Sequence, residues 1–316
     1  VTEENRIGTT RDLPRRMRTD AVRAGRLERV RRGVYRAVED DRDEHASTAA
    51  RRLAADRARA VHLGLAAAHA FSHETAALLH GLRLWSLPRS THVVQAYRRS
   101  GAAAGDVRRH RVALPDGHRT TAGGLPVTSL ARTVVDCSRA MHPLESLVIA
   151  DHAVAKGVDL AECAEILAAT RQRNGTALAR WVLEHADGGA DSAWETWLRY
   201  VALRAGLPRP VTQAPLPTAG RVYHADLGWP EWGVYAEFDG RSKYRDDGIR
   251  PGHDASDELF REKQRFDAIR ATGVSPVRVT ATGGAGVRRV TDLLAARFPE
   301  PVRRGFRVHR LLPPPP

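Results

Sequence analysis

Lysine is almost missing from this basic chain: among 50 basic residues the only lysines are Lys156, Lys243 and Lys263, and all the rest are arginine. Cysteine is nearly as scarce. Cys137 and Cys163 sit in apolar, helix-like patterns, which excludes a disulfide framework and suits a reducing compartment. So few cysteines also argue against a structural zinc site built from closely spaced Cys and His pairs. No apolar run approaches the length of a membrane-spanning helix, and no basic amphipathic helix carries an aromatic face, so a membrane partner is not expected. Val1-Thr-Glu-Glu-Asn5 has no apolar signal segment, and a cytoplasmic location is expected. A His-Glu-x-x-His pair, a Walker loop and a Gly-x-Ser-x-Gly elbow are all lacking, which removes the commonest metalloprotease, nucleotide-binding and hydrolase readings.

What is present is charge. The 316 residues carry a formal +13 and a sequence pI of about 10.7. That balance points to a polyanion, most simply nucleic acid. Phosphate contacts alone do not separate DNA from RNA. The length suits two or three domains, each with its own core.

Ten arginines fall between Arg11 and Arg36, against Asp12, Asp20 and Glu28. Thr19-Asp20 predicts a helix start running to a cap at Gly25. Leu27 to Arg36 alternates apolar and basic residues around Gly33 and predicts a small hairpin. A basic helix followed by a basic hairpin is how a winged helix-turn-helix ends, with the helix in the major groove and the wing on phosphates. Arg15, Arg16, Arg18, Arg23, Arg26, Arg29, Arg31 and Arg32 are the candidate nucleic-acid contacts.

Glu39–Glu44 reads as an acidic linker. Ala46–Leu84 predicts alanine-rich helix, followed by strands at Thr91–Ala96 and Arg108–Leu114 with a glycine-rich turn at Gly101–Gly105 between them. Helical pattern returns over Thr128–Val154 and Asp159–Glu184. The histidines His62, His69, His73 and His80 follow helical spacing and read as packed or exposed. Beyond a break at His185–Ala190, Ser192–Ala205 predicts a helix. Strands are expected near Val211–Ala214, Val222–Leu227, Val234–Asp239 and Val274–Thr280, and helices over Asp257–Thr272 and Gly286–Phe298. The terminal Pro313–Pro316 run reads as an extended tail without a role in the fold. The expected domains are 1–44, 45–186 and 187–300, with a proline-rich tail at 301–316.

The strand pair joined by Trp229-Pro-Glu-Trp-Gly233 carries the chemistry. Alternation puts Val234, Ala236 and Phe238 on a core face and Tyr235, Glu237 and Asp239 on the other, with Asp226 on the neighbouring strand. Three converging carboxylates repel one another unless a hard cation such as Mg²⁺ sits between them. A metal held so can activate water against a phosphodiester. The bland alternative is surface carboxylates at strand ends, with Asp239-Gly240 making a turn. Glu195 also has two readings: the partner of Ser192 in a capping box, or a residue that hydrogen-bonds a metal-bound water. Lys243 and Lys263 are candidate cations for the developing phosphate charge.

Two resemblances rest on these residues. Leu27-Glu-Arg-Val-Arg-Arg-Gly-Val-Tyr35, Phe71-Ser-His-Glu-Thr-Ala-Ala-Leu-Leu-His-Gly-Leu82 and Pro126-Val-Thr-Ser-Leu-Ala-Arg-Thr-Val-Val-Asp-Cys137 resemble the AbiEi-type antitoxins, DNA-binding autorepressors. That likeness implies operator DNA and a cognate toxin as partners. His224-Ala-Asp226-Leu-Gly-Trp-Pro-Glu231 and Val234-Tyr-Ala-Glu237-Phe-Asp239-Gly-Arg241 resemble the very-short-patch-repair (Vsr-like) endonucleases of the PD-(D/E)XK superfamily. This second likeness implies that Asp226 and Glu237 hold Mg²⁺, or Mn²⁺ in its place, and that Glu195 is the helix glutamate. Asp239 stands where the superfamily has lysine, which leaves Lys243 or Lys263 as a migrated cation. The expected architecture is multi-domain α/β: an N-terminal winged helix, a mixed α/β middle domain and a C-terminal restriction-endonuclease-like domain. The expected activity is metal-dependent DNA cleavage, and the alternative is a non-catalytic repressor and antitoxin.

Overall fold

The computed structural model describes residues 7–10, 12, 14–38, 45–96, 105–171, 173–218, 220–239, 264–265, 267–280 and 285–316. The linker expected at Glu39–Glu44, most of the turn at Gly101–Gly105, Lys243 and Lys263 lie outside these residues. The protein is mixed α/β with three sheets. Among the described residues no helix is long and apolar enough to cross a membrane.

The chain forms two compact units, residues 1–140 with 161–169, and residues 141–160 with 170–316. The divisions expected at 44/45 and 186/187 therefore fall inside units.

Unit 1 opens with β1 (Ile7–Thr9), α1 (Arg15–Arg23), β2 (Leu27–Arg31) and β3 (Val34–Ala37), the strands forming an antiparallel sheet in the order β1-β3-β2. The helix begins at Arg15 rather than at Thr19-Asp20. Pro14 precedes it with a backbone already extended for entry, and the Thr19 hydroxyl donates back to the Arg15 carbonyl at 2.9 Å instead of capping. Gly25, at φ +68, follows the cap residue Ala24, and the Arg26 and Gly25 amides close on the carbonyls of Ala21 and Val22. That bond pair needs the left-handed conformation that glycine adopts without penalty.

The block read as one helix from Ala46 to Leu84 is three elements: α2 (Ala46–Gly64), β4 (Ala70–Phe71) and α3 (His73–Leu79). The short strand was hidden because a two-residue strand has no period to read. It sits at the centre of a five-stranded sheet, β6-β5-β4-β8-β7, with β5 at Thr91–Gln95, β6 at Val107–Arg111, β7 at Arg119–Ala122 and β8 at Leu125–Thr128. Strands β5 and β6 run parallel. Ala58 and Val61 of α2 and Ala76 of α3 share a core with Phe71, Val93, Val107, Leu125 and Val127. Helix α4 (Leu130–Ala140) packs on α3, and α6 (Leu160–Ala169) sends the Cys163 thiol to the Ala131 carbonyl at 3.7 Å. Both cysteines are buried and form no disulfide.

Unit 2 gathers α5 (Pro143–Ala155), α7 (Thr176–His185) and α8 (Ala193–Arg204) beside a four-stranded sheet, β12-β11-β10-β9. The strands are β9 (Val211–Pro217), β10 (Val222–Trp229), β11 (Val234–Phe238) and β12 (Val277–Val279); β12 alone runs parallel to its neighbour. Phe238 stacks on Trp194 of α8 at 5.1 Å between ring centroids, a contact worth about 0.5–1.5 kcal/mol beyond its buried area. Tyr235, expected on the face opposite the core, is buried with Ala214, Leu216, Ala225 and Ile269, so the sheet is covered on both sides. Helices α9 (Ala285–Ala295) and α10 (Glu300–Arg303) follow.

The C-terminal segment is not a free tail. The His309 amide donates to the Arg204 carbonyl at 2.8 Å, Arg204 Nε to the Leu312 carbonyl at 3.1 Å, and the Tyr200 hydroxyl to the Pro313 carbonyl at 2.7 Å. His142 Nε2 lies 2.9 Å from the Pro314 carbonyl, and Leu312 is buried. Prolines retain a carbonyl acceptor, and here these acceptors satisfy donors on α8 and at the start of α5.

Candidate functional site

The first candidate lies on α1 and the β2–β3 hairpin. Arg15, Thr19 and Arg23 recur every four residues and so share one face of α1, with Arg16 beside them. Arg15, Arg16, Arg23, Arg26, Arg29 and Arg32 are all exposed. Among the described residues none of these six has an ion-pair partner. Two arginines expected in the same set have partners inside unit 1. The Arg18 guanidinium lies 5.4 Å from the Tyr35 ring centroid and donates to the Thr10 carbonyl, and Arg31 pairs with Asp106 at 3.1 Å.

The second candidate is a row across the sheet of unit 2. Gln213 and Asp226 fall between the paired residues Ala214–Ala225 and Thr212–Leu227 of β9 and β10. Asp226 and Glu237 come next after the pair Leu227–Ala236 of β10 and β11, and Glu237 pairs with Arg278 of β12. Gln213, Asp226, Glu237 and Arg278 thus cross four strands at one level. Gln213 holds a positive φ of 46°, a conformation that costs a non-glycine residue about 1–3 kcal/mol and persists only where the surroundings enforce it.

Asp226 Oδ2 accepts the Phe238 amide at 2.6 Å. Glu237 is held by Arg265, whose Nη2 donates to Oε1 at 2.5 Å and also to the His224 carbonyl at 2.9 Å, while Arg278 Nε lies 3.9 Å from Oε2. The cations the structure brings to Glu237 are thus Arg265 and Arg278, neither of which the sequence reading named. Their signal was weak, because only the pairing of β11 with β12 and the chain's return past residue 264 bring them there. The Asp239 amide donates to the Val279 carbonyl at 2.7 Å.

Glu195 and Ser192 cap the start of α8 reciprocally. Its amide donates to Ser192 Oγ at 3.2 Å, and Ser192 Oγ donates back to Oε1 at 2.8 Å. Oε2 accepts the Asp191 amide at 2.8 Å and Gln213 Nε2 at 3.3 Å. These bonds tie the start of α8 to the carboxylate row. Asp226, Glu237, Asp239 and Glu195 do not bring three ligand atoms together; the group that does so among the described residues is His73, His92 and His110, within 4.8 Å of one another.

His73 opens α3, with its Nδ1 3.0 Å from the Ser72 hydroxyl and a backbone φ of +52. His92 is on β5 and His110 on β6. Burial, followed by the charge of Arg108, pushes His92 down to about 4; burial, then His92 and Arg108, does the same for His110. His73 is held well below the usual imidazole value by burial and then by His110 and His92. All three rings are therefore neutral near pH 7, each with one nitrogen lone pair; His92 Nδ1 and His110 Nε2 face each other at 3.2 Å, and the His73 ring stacks on that of His110 at 3.9 Å between centroids. No local pattern in the sequence announces this group, because His92 and His110 meet only through the parallel pairing of β5 with β6.

Fold and site together define a mixed α/β protein with an arginine-rich helix and hairpin in one unit and a row of polar and charged residues across a buried sheet in the other. No protein-family model matches the chain. Two proteins of Mycobacterium tuberculosis, uncharacterized protein Rv2248 (strain ATCC 25618 / H37Rv) and uncharacterized protein MT2308 (strain CDC 1551 / Oshkosh), are each 30% identical to it over 284 residues. The match takes in 88% of this chain and 93% of theirs, and so includes both units. The chain belongs to the family of these mycobacterial proteins.

Proposed function

We propose that this protein binds DNA through α1 and the β2–β3 hairpin in the manner of a winged helix. The observation that carries the reading is the set of six exposed arginines on those elements, which have no ion-pair partner among the described residues. Exposed arginine on a chain of net charge +13 is suited to an anionic polymer. A helix laid in the major groove with a hairpin on the flanking phosphates uses every one of these positions. Replacing Arg26, Arg29 and Arg32, at and around the β2–β3 hairpin, together with Gln removes three phosphate contacts. The slope of log affinity against log salt is then expected to fall by roughly 2.7, at ~0.9 per contact. Fluorescence anisotropy on duplex DNA over a range of salt measures it, and an unchanged slope rejects this docking face.

A second reading concerns unit 2, as a PD-(D/E)XK domain of the Vsr-like kind. The observation favouring it is the adjacency of Asp226 and Glu237 on neighbouring strands, with Arg265 and Arg278 beside them. Two carboxylates are the hard oxygen donors that Mg²⁺ or Mn²⁺ takes, so the pair fits the ion. Asp226 and Glu237 would hold it, and it would lower the pKa of a water so that this water, once deprotonated, can attack phosphorus. Arg265 and Arg278 would stabilise charge on the phosphate, the task for which Lys243 and Lys263 were candidates. Glu195, through Gln213, positions the row.

Supercoiled plasmid incubated with Mg²⁺, Mn²⁺ or EDTA decides this. Asp226→Asn is the sharper variant, because it keeps an acceptor for the Phe238 amide where Asp226→Ala leaves that donor unmatched at a cost of about 1–3 kcal/mol. Metal-dependent nicking lost in Asp226→Asn supports the nuclease. Binding without nicking under every metal supports a repressor and antitoxin whose unit 2 does not cleave, with a toxin as its further partner.

A further inference from the structure

We propose that His73, His92 and His110 form a binding site in unit 1 for a divalent transition ion of the Zn²⁺ class. His92 Nδ1 and His110 Nε2 are 3.2 Å apart. Two nitrogens bound to one tetrahedral zinc at ~2.0–2.1 Å are separated by about 3.3 Å, so these two rings already stand at ligand spacing. His73 completes the group, all three ligand atoms lying within 4.8 Å. Because Ser72 Oγ holds His73 Nδ1, the Nε2 atom is the one left to face an ion, and a hydroxyl behind the ring is the outer partner that orients metal-bound histidines.

Two further observations point to a cation. Glu74 Oε2 is buried without a hydrogen bond, although it comes to 3.2 Å from His92 Nδ1. The charge of Arg108 already reaches Glu74, and this oxygen without a hydrogen bond leaves a place for a second cation beside it. The second is the positive φ of His73, the kind of enforced backbone conformation that gathers where a side chain must be aimed. The charged groups facing the cluster are Glu74, Arg108 and Arg132. Glu74 is the one that offsets an ion's charge.

Three imidazoles select zinc and its first-row neighbours over Mg²⁺, which takes oxygen ligands. The site is therefore chemically distinct from the carboxylate row of unit 2 and does not depend on either reading of function. An ion there would fasten the start of α3 to β5 and β6, so its binding would add to the stability of unit 1.

The test uses untagged full-length chain, stripped with EDTA and dialysed against limiting Zn²⁺ or Co²⁺. The expected result is about one ion per chain by elemental analysis, a higher unfolding temperature, and the visible absorption of four-coordinate Co²⁺. His92→Gln and His110→Gln, each checked for native circular dichroism, are expected to lose the ion and the absorption, while His224→Gln keeps both. Should His92→Gln fail to fold, the half-buried His110 carries the comparison. Wild-type chain that takes up no zinc overturns the proposal, and so does a folded His110→Gln that binds zinc as the wild type does.

Discussion

Arg199→Ala is expected to lower the unfolding free energy of unit 2 by about 3–5 kcal/mol. Arg199 and Asp151 are each almost fully buried, at 1% and 0% side-chain exposure, and Arg199 Nη2 donates to both Asp151 oxygens at 2.5 Å. The same carboxylate accepts the Thr196 hydroxyl at 2.7 Å and the Asp187 amide at 2.9 Å, while Arg199 Nη1 reaches the His185 carbonyl. One ion pair thus joins α5, α8 and the end of α7. Truncating the arginine strands a buried carboxylate with two neutral donors, and that uncompensated charge dominates the cost. Asp151→Leu with Arg199→Met, which leaves no charge behind, should recover most of the loss. Urea unfolding followed by tryptophan fluorescence reads it, because five of the six tryptophans (Trp181, Trp194, Trp197, Trp229 and Trp232) belong to unit 2. A single variant within about 1 kcal/mol of wild type would mean that water reaches the carboxylate.

Gly206→Ala should come next in size, at about 3 kcal/mol or more. Gly206 ends α8 at φ +81, its amide and that of Leu207 closing on the carbonyls of Leu203 and Ala202 at 3.1 Å. A side chain in that conformation costs roughly 1–2 kcal/mol by itself. Here an added Cβ would also stand 2.6 Å from the Arg307 amide nitrogen and closer still to its carbonyl oxygen, and backbone cannot swing aside as a side-chain tip can. The methyl would push residues 307–314 off α8. Gly233 is the control: its φ is +64, but no atom lies within 4 Å of its would-be Cβ. Gly233→Ala should therefore show the conformational cost alone, and equal unfolding midpoints for the two variants would contradict the close approach.

What could be read from the sequence was local. The β10–β11 hairpin announces itself in Trp229-Pro-Glu-Trp-Gly233, and the β2–β3 hairpin in the glycine between two alternating basic runs. The reciprocal cap of Ser192 and Glu195 needs only its own spacing. What could not be read was pairing at a distance. Arg278 meets Glu237 because β12 joins β11 in parallel, Arg265 because the chain returns over the sheet, and His92 meets His110 because β5 and β6 are parallel. Alternation did separate the two faces of β11, but it set the side of Tyr235 opposite the core. Alternation reports which residues share a face and says nothing of what is laid over it. The proline-rich end differs for a related reason: composition shows that Pro313–Pro316 forms no core, yet its carbonyls still serve Tyr200 on α8 and His142 before α5.

The interleaving of the two units sets the order in which they can mature on the ribosome. Unit 1 lacks α6 until residue 169 has emerged, and by then α5, which belongs to unit 2, is already outside the tunnel without α7 or α8 to pack on. Unit 2 in turn waits for residues 307–314 before α8 can engage its last partners. At ~5–20 residues per second the apolar flank of α5 is open to chaperones for roughly 2–7 s after residue 169, until α8 ends at residue 204, and the last contacts of α8 follow after roughly 7–30 s. Nascent chains arrested before residue 300 should accordingly present unit 1 protected from protease and unit 2 still open to it.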